Sequence, residues 1–459
     1  MTLTVEDIIK ATGGELLTED SRTFSGASID SRTIGEGELF FAIRGEKFDG
    51  HNFLNEALLK GGGAVVDSRS PAMPENRTII RVKDTLKALQ DFAHFLRMKM
   101  DIPVVAITGS NGKTTTKEML SSILSRRFKT LKNEGNLNNH IGLPLSLMRL
   151  EPDHEAVVLE MGMNAPGEIR RLCGIAVPTH GVITNIGTAH LGMLGSYEAI
   201  RDAKLEMLDR VGVAVLNADD VFLMQGVTEV KKFRGEIITF SMKNESQVMA
   251  KNIQTTETGS RFKLEFRDVG TISVDLHIHG TFNIYNALAA SAVCFSLGIK
   301  IDAIKTALED FRAVPMRFEI TESEGITVIN DAYNANPSSM EGSLRELIRP
   351  GIGGRRVAVC GDMLELNEFS EDAHRDLGKL ISAMNIDVFI AVGEMMNLAA
   401  EECVKSKSGK SVPEVYTFRN ADDAGRDIMN ILKAGDTVLV KGSRSMRMEK
   451  IAGRISHAV

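Results

Sequence analysis

The chain has 459 residues, a formal net charge of -7 and 43% hydrophobic content. That length exceeds one hydrophobic core and implies two to four domains. The acidic balance argues against a general nucleic-acid binder. The four cysteines (173, 294, 360 and 403) show no C-x-x-C spacing, which fits a reducing cytosol and excludes a disulfide framework. Met1-Thr2-Leu3-Thr4-Val5-Glu6-Asp7 carries acids where a signal peptide has a basic and then an apolar run. No apolar run is long enough to span a bilayer.

Residues 1–101 read as a small α/β unit. A short helix around Ile8, Ile9 and Ala11 stops at Gly13-Gly14. Leu39 to Ile43 reads as a strand, and a helix through Phe53, Ala57 and Leu58 ends before the strand Ala64-Val65-Val66. Another helix, through Ala88, Phe92 and Phe95, leads to Asp101-Ile102-Pro103. Proline disfavours helix just before itself, so a boundary near 101 follows.

Residues 102–315 open on Val104-Val105-Ala106-Ile107-Thr108, a β-branched apolar run that reads as a buried parallel strand. Gly109-Ser110-Asn111-Gly112 then turns the chain, and Lys113-Thr114-Thr115-Thr116 opens a helix with Met119, Leu120, Ile123 and Leu124 on its apolar side. Such a turn aims free backbone N–H groups and the positive end of the helix at one point, which suits a phosphate. Lys113 can reach the outer phosphates and the Thr114 hydroxyl can ligate Mg²⁺. Position 107 is Ile where the longer P-loop pattern has glycine, so this is the shorter G-x-x-G-K-T form. Further strands end at Glu160, at Gly187 with His190 just beyond, and at Asn217. Short alternating strands between about 236 and 280 suggest an antiparallel annex, followed by a helix from Asn286 through Cys294.

Residues 316–459 repeat the strand–helix alternation. Strands end at Asp331, Gly361-Asp362, Gly393-Glu394 and Gly442-Ser443, giving a second doubly wound sheet. Fold class is therefore α/β throughout.

Ligands of parallel sheets collect at the carboxyl ends of strands. Glu160 there suits a Mg²⁺ ligand, against the plainer alternative of a solvated strand-end acid. His190 in a glycine-rich loop is by itself more often no ligand. Lys204 lies at the margin of the apolar stripe of a helix capped by Ser196, where it either snorkels or reaches the metal crevice. In the crevice a free ammonium would repel Mg²⁺, whereas a carbamylated lysine presents a carboxylate-like ligand. That modification needs the neutral amine, which desolvation favours. Arg317 sits at the second domain junction. Asn330 to Pro337 is polar and turn-rich after a buried strand, a setting common for functional loops.

These pieces resemble the Mur ligases. The resemblance covers nearly the whole chain through Thr108 to Thr116, Asn136 to Pro144, Glu160 to Met163, Asn185 to Leu191, Ala203 to Glu206, Asn330 to Pro337, Gly361 to Leu366 and Lys441 to Met446. It implies three domains: one for a UDP-sugar (1–101), a central ATPase (102–315) and a Rossmann-like domain for ATP and the incoming dipeptide (316–459). It implies an ATP-dependent amide ligase of peptidoglycan precursor synthesis that adds D-alanyl-D-alanine to UDP-N-acetylmuramoyl-tripeptide through an acyl phosphate; the cysteine usage points to the cytoplasm, and with no strong oligomer signal in the sequence a monomer is the default expectation.

The implied ATP contacts are Gly109, Ser110, Asn111, Gly112, Lys113, Thr114, Thr115, Asn283, Arg317 and Asp331. Ser31, Arg32, Asp49, Asn136 and Asn138 are the implied substrate contacts. Thr114 and Glu160 serve one Mg²⁺, and His190 with carbamylated Lys204 a second. In one departure Phe282 stands where the family often has histidine, which weakens the assignment of an adenine pocket around Asn283. A folylpolyglutamate synthase-like ligase and a nucleotide-gated binding protein remain the alternatives.

Overall fold

The structure, a computed structural model, describes residues 2–45, 47–68, 76–230, 233–349, 353–406 and 413–456. Three principal sheets follow one another along the chain. In the first, strands run in the order Glu15–Thr18, Thr78–Arg81, Gly63–Val66, Leu39–Phe41, Ala27–Ser28. Its first pair is antiparallel and the rest are parallel. The helix Thr85–Met98 packs on it through Leu89, Phe92 and Leu96, and the apolar core beneath runs on into Leu143, Leu147 and Leu172 of the next unit. Arg97 and Gln90 fasten the same helix to Ala176 O (3.0 Å) and His140 O (2.8 Å).

The second sheet has nine strands, with Val104–Thr108 between His180–Ile183 and Ala156–Glu160. All five residues of Val104–Thr108 are buried. This is the continuous apolar reading of a strand covered on both faces. The expected antiparallel annex, over 248–276, forms the edge of this same sheet, and the strand before it joins in parallel. Glu236–Ser241 pairs parallel to Val213–Asn217, and Val248–Thr256 pairs parallel to it. Only Gly259–Phe266 and Gly270–Leu276 then run antiparallel. Alternating polarity there marks strands with one wet face, which is silent about direction. The following helix also begins earlier than its apolar run suggests, at Thr281, and extends to Ser296.

The third sheet runs Glu319–Ser323, Ile326–Asp331, Thr437–Lys441, Arg356–Gly361, Val388–Val392, Glu414–Phe418, parallel except for its first pair. Helices cover both faces, giving two cores, one around Phe389, Leu439 and Met340 and one around Val359, Ile390 and Val440. The carboxyl ends of the second and third sheets face a shared cavity of about 1000 Å³.

Candidate functional site

The cavity begins with the turn Gly109–Gly112. Gly109 has φ 144° and Gly112 φ 82°. A Cβ on the first would lie 1.9 Å from Thr184 Oγ1, and on the second 2.2 Å from Asn286 Oδ1. Both positions thus require glycine for conformation and for space. Asn185 Oδ1 accepts from Asn111 N (3.0 Å), and Ser110 N donates to Asn185 O (3.0 Å), so the turn is braced from the neighbouring strand end. Lys113 opens the helix Lys113–Leu124 and curls its ammonium back onto Gly109 O at 2.8 Å.

Glu160 closes the next strand, 5% exposed. Its Oε2 accepts from Thr114 Oγ1 and its Oε1 from Asn138 Nδ2, each at 2.8 Å. Arg317 Nη2 reaches Thr114 Oγ1 at 3.1 Å from the far side, with its guanidinium 3.8 Å above the Tyr333 ring. The Nε of Arg317 is buried without a partner.

His190 adopts φ 67° and caps the short helix Leu191–Leu194. Its Nδ1 is buried and makes no hydrogen bond; the nearest acid, Glu365 Oε2, is 3.7 Å away. Burial, then the charges of Lys113 and Lys204, push the imidazole down to a pKa of about 3, so the ring is neutral. Lys204 is 1% exposed, well inside the margin that its helical position implied. Burial and Lys113 bring its ammonium down to about 7. Burial, followed by Arg317, also lowers Lys113, against the opposing pull of Glu160. Positive groups therefore crowd one end of the cavity, with Glu160 the acid that pulls on Lys113 and Glu365 the one beside His190.

The oxygens of Thr114 and Glu160 are hard donors of the kind Mg²⁺ takes, and the unpartnered His190 nitrogen is a free donor in the same cavity. The glycine cradle and the basic crowd fit a polyphosphate. Among the described residues one trio of acidic and histidine side chains has metal-like spacing, Glu151, Asp153 and His154. There Lys129 already bonds both acids on an exposed surface, so the charge is satisfied.

Ser110, Asn111, Gly112, Thr115, Asn136, Asn283 and Asp331 also line the cavity. Asn283 spends its amide on His279 O (2.7 Å) and Asn286 Nδ2 (2.9 Å). Asp331 is held by Lys441 Nζ at 2.6 Å and by Ser343 Oγ at 2.7 Å. Phe282 turns its ring edge to Phe318 of the third unit, 5.2 Å between centroids. Ser31, Arg32 and Asp49 lie off this wall, in the first unit. Ser31 bonds Glu56, Arg32 forks onto Asp30, and Asp49 binds His51 and Arg44.

Sequence reasoning missed two participants, Tyr333 and Tyr285, and a second role of Asn111. Tyr333 carries Arg317 on its face, with Arg444 5.9 Å from the ring centroid. Asn111 joins the second and third units, accepting from Asn336 Nδ2 (3.0 Å) and donating to Ser338 Oγ (2.9 Å). Tyr285 donates to Asp219 Oδ2 (2.9 Å) on the cavity wall beside Asn283. The turn-rich Asn330 to Pro337 segment signalled Tyr333 and the partners of Asn111; nothing local signalled Tyr285.

Three family models match in order: Mur ligase family, catalytic domain, at residues 23–97; Mur ligase middle domain at 107–294; and Mur ligase, glutamate ligase domain, at 316–444. The chain is 36% identical to UDP-N-acetylmuramoyl-tripeptide–D-alanyl-D-alanine ligase of Escherichia coli, covering 98% of each. It is 34% identical to the protein of that name from Bacillus subtilis, over 98% of this chain and 97% of the relative. A crystal structure of MurF from Acinetobacter baumannii superposes with a TM-score of 0.90 at 31% identity, covering 99% of both chains. MurF from Thermotoga maritima, solved in complex with ADP, gives 0.81 at 29% identity, over 94% of this chain and 97% of that one. With three consecutive models and full-length relatives above 30% identity, the chain belongs to the Mur ligase family.

Proposed function

We propose that this chain is the ATP-dependent ligase that joins D-alanyl-D-alanine to UDP-N-acetylmuramoyl-tripeptide in peptidoglycan precursor synthesis. The observation that carries this reading is the meeting of Lys113, Thr114, Glu160, His190 and Arg317 in one cavity between two sheets, in a chain whose full-length relatives bear that name. The arrangement of units fits residues 1–101 for the UDP-sugar, 102–315 for ATP and 316–459 for the incoming dipeptide.

A carboxylate resists an amine because it is anionic and has a poor leaving group. Transfer of the γ-phosphoryl group to the tripeptide carboxylate gives an acyl phosphate and ADP. The dipeptide amine then attacks the acyl carbon, and the tetrahedral intermediate expels phosphate. The Gly109–Gly112 N–H groups and Lys113 hold the phosphates, with Arg317 approaching from the third unit. Such a transfer depends on positioning and electrostatics. Thr114 and Glu160 would hold one Mg²⁺, and His190 with carbamylated Lys204 a second; bound there, magnesium supplies charge neutralisation on the phosphate oxygens. The neutral His190 and the Lys204 ammonium depressed to about 7 support both assignments. Docking of the third unit through Asn111, Asn336 and Ser338 excludes the water that would hydrolyse an acyl phosphate. The buried free cysteines fit a cytoplasmic enzyme, and among the described residues no helix is long and apolar enough to cross a membrane.

Phosphate release with UDP-N-acetylmuramoyl-tripeptide and D-alanyl-D-alanine, each omitted in turn, tests the reading. Release that needs both supports the ligase. Release indifferent to both identifies a plain ATPase and ends the proposal.

A further inference from the structure

The strand Thr130–Lys132 pairs with Ala156–Glu160 only as far as Lys132 opposite Val158. Two residues further along, the main chain of Glu160 needs a partner on that edge. The Asn133 side chain supplies it. Asn133 Oδ1 accepts from Glu160 N at 2.9 Å, and Asn133 Nδ2 donates to Glu160 O at 3.0 Å. One primary amide, with the donor and acceptor of a peptide group, thus continues the ladder in place of backbone. The same Nδ2 also donates to Leu137 O at 2.9 Å, which ties down the loop that carries Asn138. Asn133 is 1% exposed.

Behind it stands Lys117, also 1% exposed, one turn beyond Lys113 on the phosphate-loop helix. Lys117 Nζ donates to Asn133 O at 2.8 Å and pairs with Glu118 at 3.1 Å. The helix that presents Lys113 and Thr114 is therefore bonded to the residue that fixes Glu160, and the loop fixed by that residue sends Asn138 to the Glu160 carboxylate.

We propose that Asn133, anchored by Lys117, is a positioning residue that sets the Glu160 carboxylate for a divalent cation. The inference rests on the reading of Glu160 as a metal ligand. Aspartate at 133 cannot donate, and serine has one proton for the two carbonyls, Glu160 O and Leu137 O, that the amide serves, so the role calls for asparagine. Outer partners of metal ligands typically change metal affinity about 10- to 100-fold when removed.

The test is Mn²⁺ titration of the full chain with a non-hydrolysable ATP analogue, followed by electron paramagnetic resonance, alongside metal-free nucleotide binding and thermal melting. Asn133→Ser should weaken Mn²⁺ about tenfold or more while metal-free nucleotide affinity stays unchanged, and Lys117→Met should shift it the same way by less. Glu160→Gln serves as the control. If Glu160→Gln weakens Mn²⁺ and Asn133→Ser lowers the melting temperature without moving Mn²⁺ affinity, Asn133 is structural only and the proposal fails. If Glu160→Gln itself leaves Mn²⁺ unaffected, the ligand reading fails and the proposal goes with it. Should Asn133→Ser not fold, Lys117→Met decides: weaker Mn²⁺ binding supports the proposal, and unchanged binding overturns it.

Discussion

The second and third sheets share an architecture but treat charge at their strand ends in opposite ways. At the third sheet the polar groups satisfy one another. Asp331 and Lys441 stand opposite in register on neighbouring strands and form a buried pair at 2.6 Å. Asp362 accepts from Met396 N at the start of the helix Glu394–Ser406, which follows the neighbouring strand, and Ser443 Oγ accepts from Leu364 N. At the second sheet Lys113, Lys204 and His190 press on one another, and burial lowers the pKa of all three. Isolated charge in a buried site is costly. A protein keeps such an excess where an anionic ligand completes it, so we place the proposed polyphosphate at the second sheet, with the third as a cover that would add Arg317.

The largest test of that contrast is removal of the central cation. Lys113→Ala should lower kcat for amide formation by about 10³-fold or more, the scale for losing a charge that stabilises a transferring phosphoryl group. Binding of the UDP-linked substrate, followed calorimetrically, should remain within a few-fold. Loss of both together would point to misfolding instead.

At the self-satisfied sheet the same kind of deletion should act on stability. Asp331→Ala leaves Lys441 3% exposed and without its carboxylate. Breaking a buried pair on one side costs about 3–5 kcal/mol, readable as a shift in the denaturant midpoint. Loss of activity with an unchanged midpoint would instead make Asp331 a direct ligand contact, as the family resemblance implies.

Lys204 offers a tenfold effect. With a pKa of about 7, its neutral fraction rises from about one-tenth at pH 6 to about nine-tenths at pH 8. The sign is fixed by chemistry, because CO₂ adds only to the free amine. Adding CO₂ to the amine also releases a proton, so at constant CO₂ pressure carbamate measured by ¹³C NMR should increase by at least about tenfold over that interval. Lys204→Arg should show none. A signal independent of pH, or one that survives in the arginine variant, would refute the assignment.

How much of this was legible in the sequence follows from how local each feature is. The phosphate turn is a strand, two glycines and a helix start within a dozen residues, and its N–H groups point where helix geometry sends them. Glu160 was legible because a strand's carboxyl end is a known gathering place. The depth of Lys204 was not, since a marginal helical position becomes buried only through tertiary packing. Asn138 was assigned to substrate by resemblance, yet its amide binds Glu160, a contact across 22 residues that spacing does not encode. How the antiparallel edge joins the parallel sheet was equally hidden, because alternation reports which face is wet and says nothing of the partner's direction. Contacts such as Asn111 with Asn336 span 225 residues and exist only once two sheets have docked.

That last contact gives the smallest effect and the finest test of the cover. Asn111 makes two hydrogen bonds to the third unit, to Asn336 and Ser338, while its own N–H is held within the second by Asn185. Asn111→Ala removes the bridge and keeps the brace. Each part-buried bond contributes about 1 kcal/mol against water, so the docked arrangement should lose roughly 1–2 kcal/mol and open more often. Arg317 would then spend less time at Thr114, lowering kcat several-fold. Affinity for the UDP-linked substrate on the first unit would stay the same. Small-angle scattering should show a larger radius of gyration in the variant without nucleotide, and saturating nucleotide should narrow the gap because ligand charge draws Arg317 back. If scattering is unchanged while kcat still falls, Asn111 acts on the phosphates through the turn itself, and the cover is held by Arg317 and the Phe282–Phe318 contact instead.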